Sequence, residues 1–239
     1  DGIDTLNVND TGDTTANTGG LSSTTITGLF GSGGGIQYGD LESLKIDLGS
    51  AGDTLTVTGT HTSSTLIRTL RGADTVNVQA ISGVTTLNTG DGADTINVGS
   101  RAPTAGGTAD GITSELEING GASSDTLNVD DSGDTAANTG SLTSTAITGV
   151  FATGGSINYG TLETLNINLG SAGDTFTIRS THAGSTTLNT QGGADTIHVQ
   201  ASAGVTTLNG GDGADTINVG SGAPSSGGNA DGVNGHLAI

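Results

Sequence analysis

Residues 90–100 read GDGADTINVGS, and residues 211–221 read the same eleven letters. In the TINV core of this stretch Ile96 and Val98 alternate with Thr95 and Asn97. A period of two puts the aliphatic pair on one side of a β-strand and the polar pair on the other. The Gly and Asp residues ahead of it are turn formers. Working outward, the match does not stop there. Tyr38 corresponds to Tyr159, His61 to His182 and Pro103 to Pro224, always 121 residues apart, and 75 of the 118 comparable positions are identical. A long unit repeated without a gap suits a stacking solenoid, in which each unit buries its apolar edges against the next. On this reading residues 1–121 are one unit, residues 122–239 a second and incomplete one, and the two form one continuous rod cut from a longer array.

A shorter period lies inside the long one. Asp-Thr followed by alternating aliphatic residues begins at Asp4, Asp53, Asp74, Asp94, Asp125, Asp174, Asp195 and Asp215. Twenty residues is a plausible circuit for one coil. The 49-residue interval then reads as two coils with a loop and the 31-residue interval as one coil with an insertion. About five coils per unit, ten in all, at ~4.8 Å each predict an all-β parallel β-helix roughly 45–50 Å long. The same alternation occurs in SLKIDLG at 43–49 and TLNIN at 164–168. Residues 9–35 and 130–156, rich in Gly, Ser and Thr, and residues 99–114 and 220–235 break the pattern and are expected as loops on the side of the rod.

Composition narrows the function. Five basic residues oppose 24 acidic ones, for a net charge of −19, which argues against nucleic acid or anionic lipid as a partner and favours a cation. Aromatics are five and cysteine is absent, so the core is thin and needs no disulfide. No basic residue survives in both units: Lys45 becomes Asn166, Arg68 becomes Asn189 and Arg71 becomes Gly192. His61 and His182 do survive, in turns without a nucleophile, and read as solvated turn residues. No acid–base set meets the needs of a catalytic site, so a non-enzymatic role is expected.

The stretch GGDGADTIN at 210–218 resembles the glycine-rich nonapeptide GGxGxDxUx of the repeats-in-toxin family. TGDGADTIN at 89–97 differs in Thr89, and GGASSDTLN at 120–128 has Ser123 for the third Gly. The DTLNV and GADTINV repeats are also similar to those of giant bacterial surface proteins. The resemblance implies calcium, held by turn carbonyls and aspartates, with Asp91, Asp94, Asp212 and Asp215 as first candidates and Asp74 and Asp195 beside them. It also implies a secreted or cell-surface location. The residues themselves leave a second explanation open. Asp53, Asp74, Asp94 and Asp125 should stack a few Å apart, and either a cation or backbone N–H groups must absorb that charge.

The outward positions complete the reading. Thr95/Asn97 and Thr216/Asn218, with their counterparts in other coils, should stack into two parallel polar files. The expected function is a structural or adhesive repeat segment, with neighbouring repeats and calcium as partners. The alternative is a module that binds glycan or ice through the Thr/Asn files. A non-catalytic piece of a polysaccharide-acting enzyme is a third reading.

Overall fold

The computed structural model describes residues 2–30 and 33–239. Apart from one 3-10 turn, Ala109–Gly111, its regular structure is strand, arranged as two eleven-stranded sheets packed face to face. Among the described residues no helix is long and apolar enough to cross a membrane. In one sheet, sheet 1, the first unit supplies Thr5–Asn9, Ser43–Asp47, Ser64–Arg68, Thr85–Asp91 and Glu115–Ala122. In the other, sheet 2, it supplies Thr54–Val57, Thr75–Val78 and Thr95–Val98, continued by Thr126–Asp130 of the second unit. The chain crosses from one sheet to the other and back in every circuit, so nearly all pairings are parallel and join successive coils. The fold is a parallel β-solenoid.

The period-two pattern decides which side chains enter the core. In Thr95–Val98, Ile96 and Val98 are buried while Thr95 and Asn97 face outward, half-buried. Leu, Ile and Val from both sheets interdigitate in one apolar column that runs through the boundary between the units. Phe176 is the largest fully buried side chain in it. Eleven strands at ~4.8 Å give each sheet a span of roughly 50 Å.

The 49-residue intervals are built differently from the expectation of two coils and a loop. In the second unit Thr139–Leu142, Ala146–Thr148 and Ser156–Gly160 form a three-stranded antiparallel meander inserted into sheet 1. Its two outer strands pair in parallel with the neighbouring coils, on Thr175–Ile178 and Glu115–Ala122. The equivalent strands of the first unit, Thr18–Leu21, Thr25–Thr27 and Gly35–Gln37, lie in sheet 2. Residues 9–35 and 130–156 are therefore partly strand, and Gly31 and Ser32 of the first stretch lie outside the described residues. Glycine makes the meander fit: a Cβ on Gly140 would sit 2.7 Å from the Phe176 ring. Counting each meander as one level, the rod has nine levels, one fewer than the spacing suggests.

One consequence governs everything on the surface. From Thr5 in sheet 1 to Thr126 in sheet 2 the chain completes four and a half turns, not five. Each 121-residue step therefore exchanges the sheets. Ser43–Asp47 is in sheet 1, and its repeat Thr164–Asn168 is in sheet 2.

Candidate functional site

The aspartates that open the strands form two ladders along the edge of the stack. In the first, the N–H of Asn17 donates to Oδ1 of Asp53 at 2.8 Å, and the N–H of Asp53 to Oδ1 of Asp74 at 2.7 Å. The N–H of Asp74 donates to Oδ1 of Asp94 at 2.8 Å, and that of Asp94 to Oδ1 of Asp125 at 2.9 Å. Oε2 of Glu163 closes the run by accepting the N–H of Asp125 at 2.7 Å. In the second unit Asn138, Asp174 and Asp195 donate in the same way to Asp174, Asp195 and Asp215, at 2.7, 2.7 and 3.0 Å. Each carboxylate thus satisfies a backbone donor that the turn leaves without a strand partner. The ladder couples one coil to the next through the residue type that the sequence repeats.

The second oxygens behave differently. Oδ2 of Asp74, Asp94, Asp125, Asp174 and Asp195 is buried with no hydrogen-bond partner. Burial raises the pKa of Asp74 to about 6 against the lowering effect of its hydrogen bonds, and it raises Asp125 and Asp174 as well. Asp131, in the loop after Thr126–Asp130, is pushed to about 7 by burial, reinforced by the nearby carboxylates of Asp134, Asp110 and Asp174. It accepts the N–H of Ala109 at 2.7 Å and the side-chain amide of Asn138 at 3.0 Å.

These shifts set a pH dependence. A carboxyl whose pKa is raised on folding takes up a proton in the folded chain before it would in the unfolded one. Stability should therefore increase as pH falls from about 8, through the Asp131 and Asp74 values of about 7 and 6, towards the ordinary value of 3.8. Below that the gain ends, and Asp47, whose pKa is lowered by Arg68 and Lys45, loses its ion pairs. Melting in calcium-free buffer at pH 8 and pH 5 should show a rise of ~5 °C at the lower pH. A fall would mean that the carboxylates work as anions, as metal ligands do.

The calcium candidates occupy two kinds of position. Asp94 and Asp195 are buried rungs of the ladders, as is Asp74, and Asp215 is a half-buried one at the end of the stack. Asp91 and Asp212 are exposed, and their backbones bridge to Arg71 and Gly192 of the preceding coil. The Asp91 carboxylate meets the Arg71 guanidinium at 3.5 Å, with both side chains in solvent. Ca²⁺ takes six to eight oxygens at 2.3–2.6 Å, and among the described residues no three Asp, Glu, His or Cys side chains converge to hold an ion. The glycines of GDGAD have a packing role: a Cβ on Gly92 would lie 1.5 Å from the carbonyl oxygen of Gly72, and one on Gly213 equally close to that of Gly193.

Thr89, which stands where the nonapeptide has its first glycine, is a residue whose role the sequence hides. It is fully buried, and its hydroxyl donates to the carbonyl of Gly120 at 2.7 Å. Thr69 does the same to Thr89 at 2.8 Å and Thr190 to Gly210 at 2.7 Å. A third ladder, of hydroxyls, thus ties coils together inside the turn. Its signal was a Thr or Gly five residues ahead of Asp74, Asp94, Asp125, Asp195 and Asp215.

The polar files exist, but not on one side. Thr54, Thr75, Thr95, Thr126 and Thr164 stack along sheet 2, beside a file of Thr56, Asn77, Asn97, Asn128 and Asn166. Adjacent asparagines hydrogen-bond side chain to side chain, at 3.0 Å for Asn97 to Asn77, 2.9 Å for Asn128 to Asn97 and 2.8 Å for Asn166 to Asn128. Thr216 and Asn218 lie with Thr196 and His198 on sheet 1. Thr95/Asn97 and Thr216/Asn218 are thus on opposite faces, a correction to the expected single pair of files, and the half-turn in the repeat is its cause. The loops of residues 99–114 and 220–235 also fold over these faces. Nε2 of Gln79 donates to the carbonyl of Ala102, and Nε2 of Gln200 to that of Ala223, each at 2.8 Å. They leave Asn77 and His198 buried. On sheet 2 the result is a groove of about 170 Å³ walled by Pro103, Thr104, Asn97, Asn128, Asp130 and Asn168.

The two histidines that recur in both units, expected as solvated turn residues, lie in turns but are half-buried. His61 packs edge-on against Tyr38 with ring centroids 6.1 Å apart, and His182 against Tyr159 at 6.0 Å. Each has its Nε2 buried without a partner, and burial lowers both pKa values. Tyr159 donates its hydroxyl to the carbonyl of Thr143 at 2.6 Å, and Tyr38 makes the equivalent bond to Ser22. The pair clamps the meander to the next coil. Comparison with protein-family models, with curated proteins and with solved structures found no match for this chain.

Proposed function

We propose that the chain is a non-catalytic spacer: a stiff segment of a larger secreted or cell-surface repeat protein, holding other parts of that protein at a fixed distance. The observation that carries this reading is the continuity of the stack. Strand Glu115–Ala122 contains the boundary between the units, and both sheets and the apolar column run through it without interruption. Ladders of aspartates, threonines and asparagines reinforce the same axis. Polar groups are used to join coil to coil, which is what a spacer under tension requires.

A binding module would expose a regular face instead, and here the Thr/Asn files are split between faces and partly roofed by loops. The glycan and ice readings are tested directly. On a broad glycan array and in an ice-recrystallisation assay the spacer reading expects no binding above background. Saturable binding abolished by Thr95→Val or Asn97→Ala would replace it with the binding-module reading. Calcium is the cation to test on so acidic a rod. A melting temperature lowered by EDTA in the native chain, but not in Asp94→Ala or Asp215→Ala, would make it part of the design. An unchanged melt leaves the N–H ladders as the role of the aspartates.

A further inference from the structure

We propose that the cavity beside Arg68 and Arg71, on the flank of the first unit, is a binding site for a small carboxylic acid with an apolar body. The proposal goes beyond the spacer reading and does not depend on it. The cavity has a volume of about 430 Å³, within the range of roughly 300–1,000 Å³ usual for small-molecule sites. One coil supplies Arg68, Leu70 and Arg71 to its lining, and the next supplies Asn88, Gly90 and Asp91. The strands that lead into these turns, Ser64–Arg68 and Thr85–Asp91, are each paired along both edges, so these two coils lie inside the stack.

A net charge of −19 gives an anion no general attraction to this rod, so its binding needs local cations. Three of the five basic residues, Lys45, Arg68 and Arg71, gather here. Nζ of Lys45 lies 2.9 Å from the Asp47 carboxylate, and the Arg68 guanidinium binds the same carboxylate through Nε and Nη2. That pair fixes the guanidinium and leaves its Nη1 to donate elsewhere. Arg71 meets Asp91 at 3.5 Å with both side chains in solvent, a pair held loosely enough to turn to a ligand. Oδ1 of Asn88 accepts from Asn119 at 2.9 Å, which leaves the Asn88 Nδ2 to donate as well. A carboxylate is an anion that a planar guanidinium takes in two parallel bonds.

The apolar requirement comes from Leu70. Its φ is 74°, in the left-handed region, where the next two turns have Gly90 and Gly121. A large aliphatic residue is a costly choice there, and Leu70 spends it half-buried at the cavity. The second unit separates the turn from its lining. Residues 68–74 read RTLRGAD and residues 189–195 read NTQGGAD. Thr69, Gly72, Ala73 and Asp74, which build the turn and its ladders, are kept, and the backbone follows, with φ of 65° at Gln191. The three residues that change, Arg68, Leu70 and Arg71, are the three that line the cavity.

Isothermal titration with benzoate tests the site. The native chain should bind one equivalent with a Kd of about 1 mM or below. Leu70→Gln and Arg71→Gly install residues that the second unit carries in the same turn, so the fold accepts both, and circular dichroism checks it. Each should weaken benzoate binding about tenfold. Benzamide, the neutral counterpart, and sulfate, an anion without an apolar body, should also bind about tenfold more weakly than benzoate. No saturable binding of benzoate at millimolar concentration, a second equivalent, or undiminished binding in either variant would overturn the proposal. So would benzamide or sulfate binding as tightly as benzoate. Any of these results leaves the spacer reading to its own glycan and ice assays.

Discussion

Gly92→Ala should cost the chain about 3–5 kcal/mol, adding an unfavourable backbone conformation to a clash that neither side can avoid. Gly92 has φ of 150°, and a Cβ there would stand 1.5 Å from the carbonyl oxygen of Gly72 in the preceding coil. Backbone cannot move aside as a flexible side chain does, so the two coils must part, and the Asp74–Asp94 rung lies beside them. At 2–4 °C per kcal/mol, the melting temperature should fall by ~10 °C. Gly12→Ala is the control, since a Cβ at Gly12 meets nothing within 4 Å, and it should change stability by under ~0.5 kcal/mol. A tolerant Gly92 would mean that the coils are farther apart than described, with room in the turn for an ion.

The second large effect separates the two uses of an aspartate. Asp125 is fully buried and accepts the N–H of Asp94 through Oδ1. Asp125→Ala leaves that donor unsatisfied and should destabilise the chain by about 1–3 kcal/mol. Asp125→Asn keeps an acceptor oxygen and removes a charge whose burial is unfavourable, as its raised pKa records. It should be close to neutral, or stabilising at pH 8. If the carboxylate served a metal, Asn would be nearly as damaging as Ala, because the charge is what the metal binds. Paired denaturant melts of the two variants, with and without EDTA, give the answer.

How much of this was legible in the sequence depends on what kind of signal each element leaves. The core was: Ile96 and Val98, Leu44 and Ile46, Leu165 and Ile167 alternate as strand residues must, and all are buried. The stacking of Asp53, Asp74, Asp94 and Asp125 followed from spacing alone. The meanders were not, because each of their short strands carries only one or two apolar anchors, such as Leu21, Ile26, Leu142 and Ile147, among Gly, Ser and Thr. Missing them changed the count from four and a half turns to five, and that half turn moved Thr216 and Asn218 to the opposite face from Thr95 and Asn97. The Tyr–His pairs were hidden for another reason. Tyr38 and His61 lie on different coils, and only the fold brings their rings together.

The exchange of sheets at every repeat is the claim from which the split files follow, and one intramolecular disulfide tests it. With four and a half turns per unit, Thr126–Asp130 and Thr164–Asn168 are neighbours in sheet 2, and the side chains of Asn128 and Asn166 touch at 2.8 Å. With five turns, the strand at 164–168 would lie on the opposite side of the rod from the strand at 126–130. Asn128→Cys with Asn166→Cys should therefore oxidise to a disulfide within the monomer, read by intact mass and by faster migration on a non-reducing gel. Two free thiols persisting in a folded, oxidised monomer would contradict the exchange of sheets.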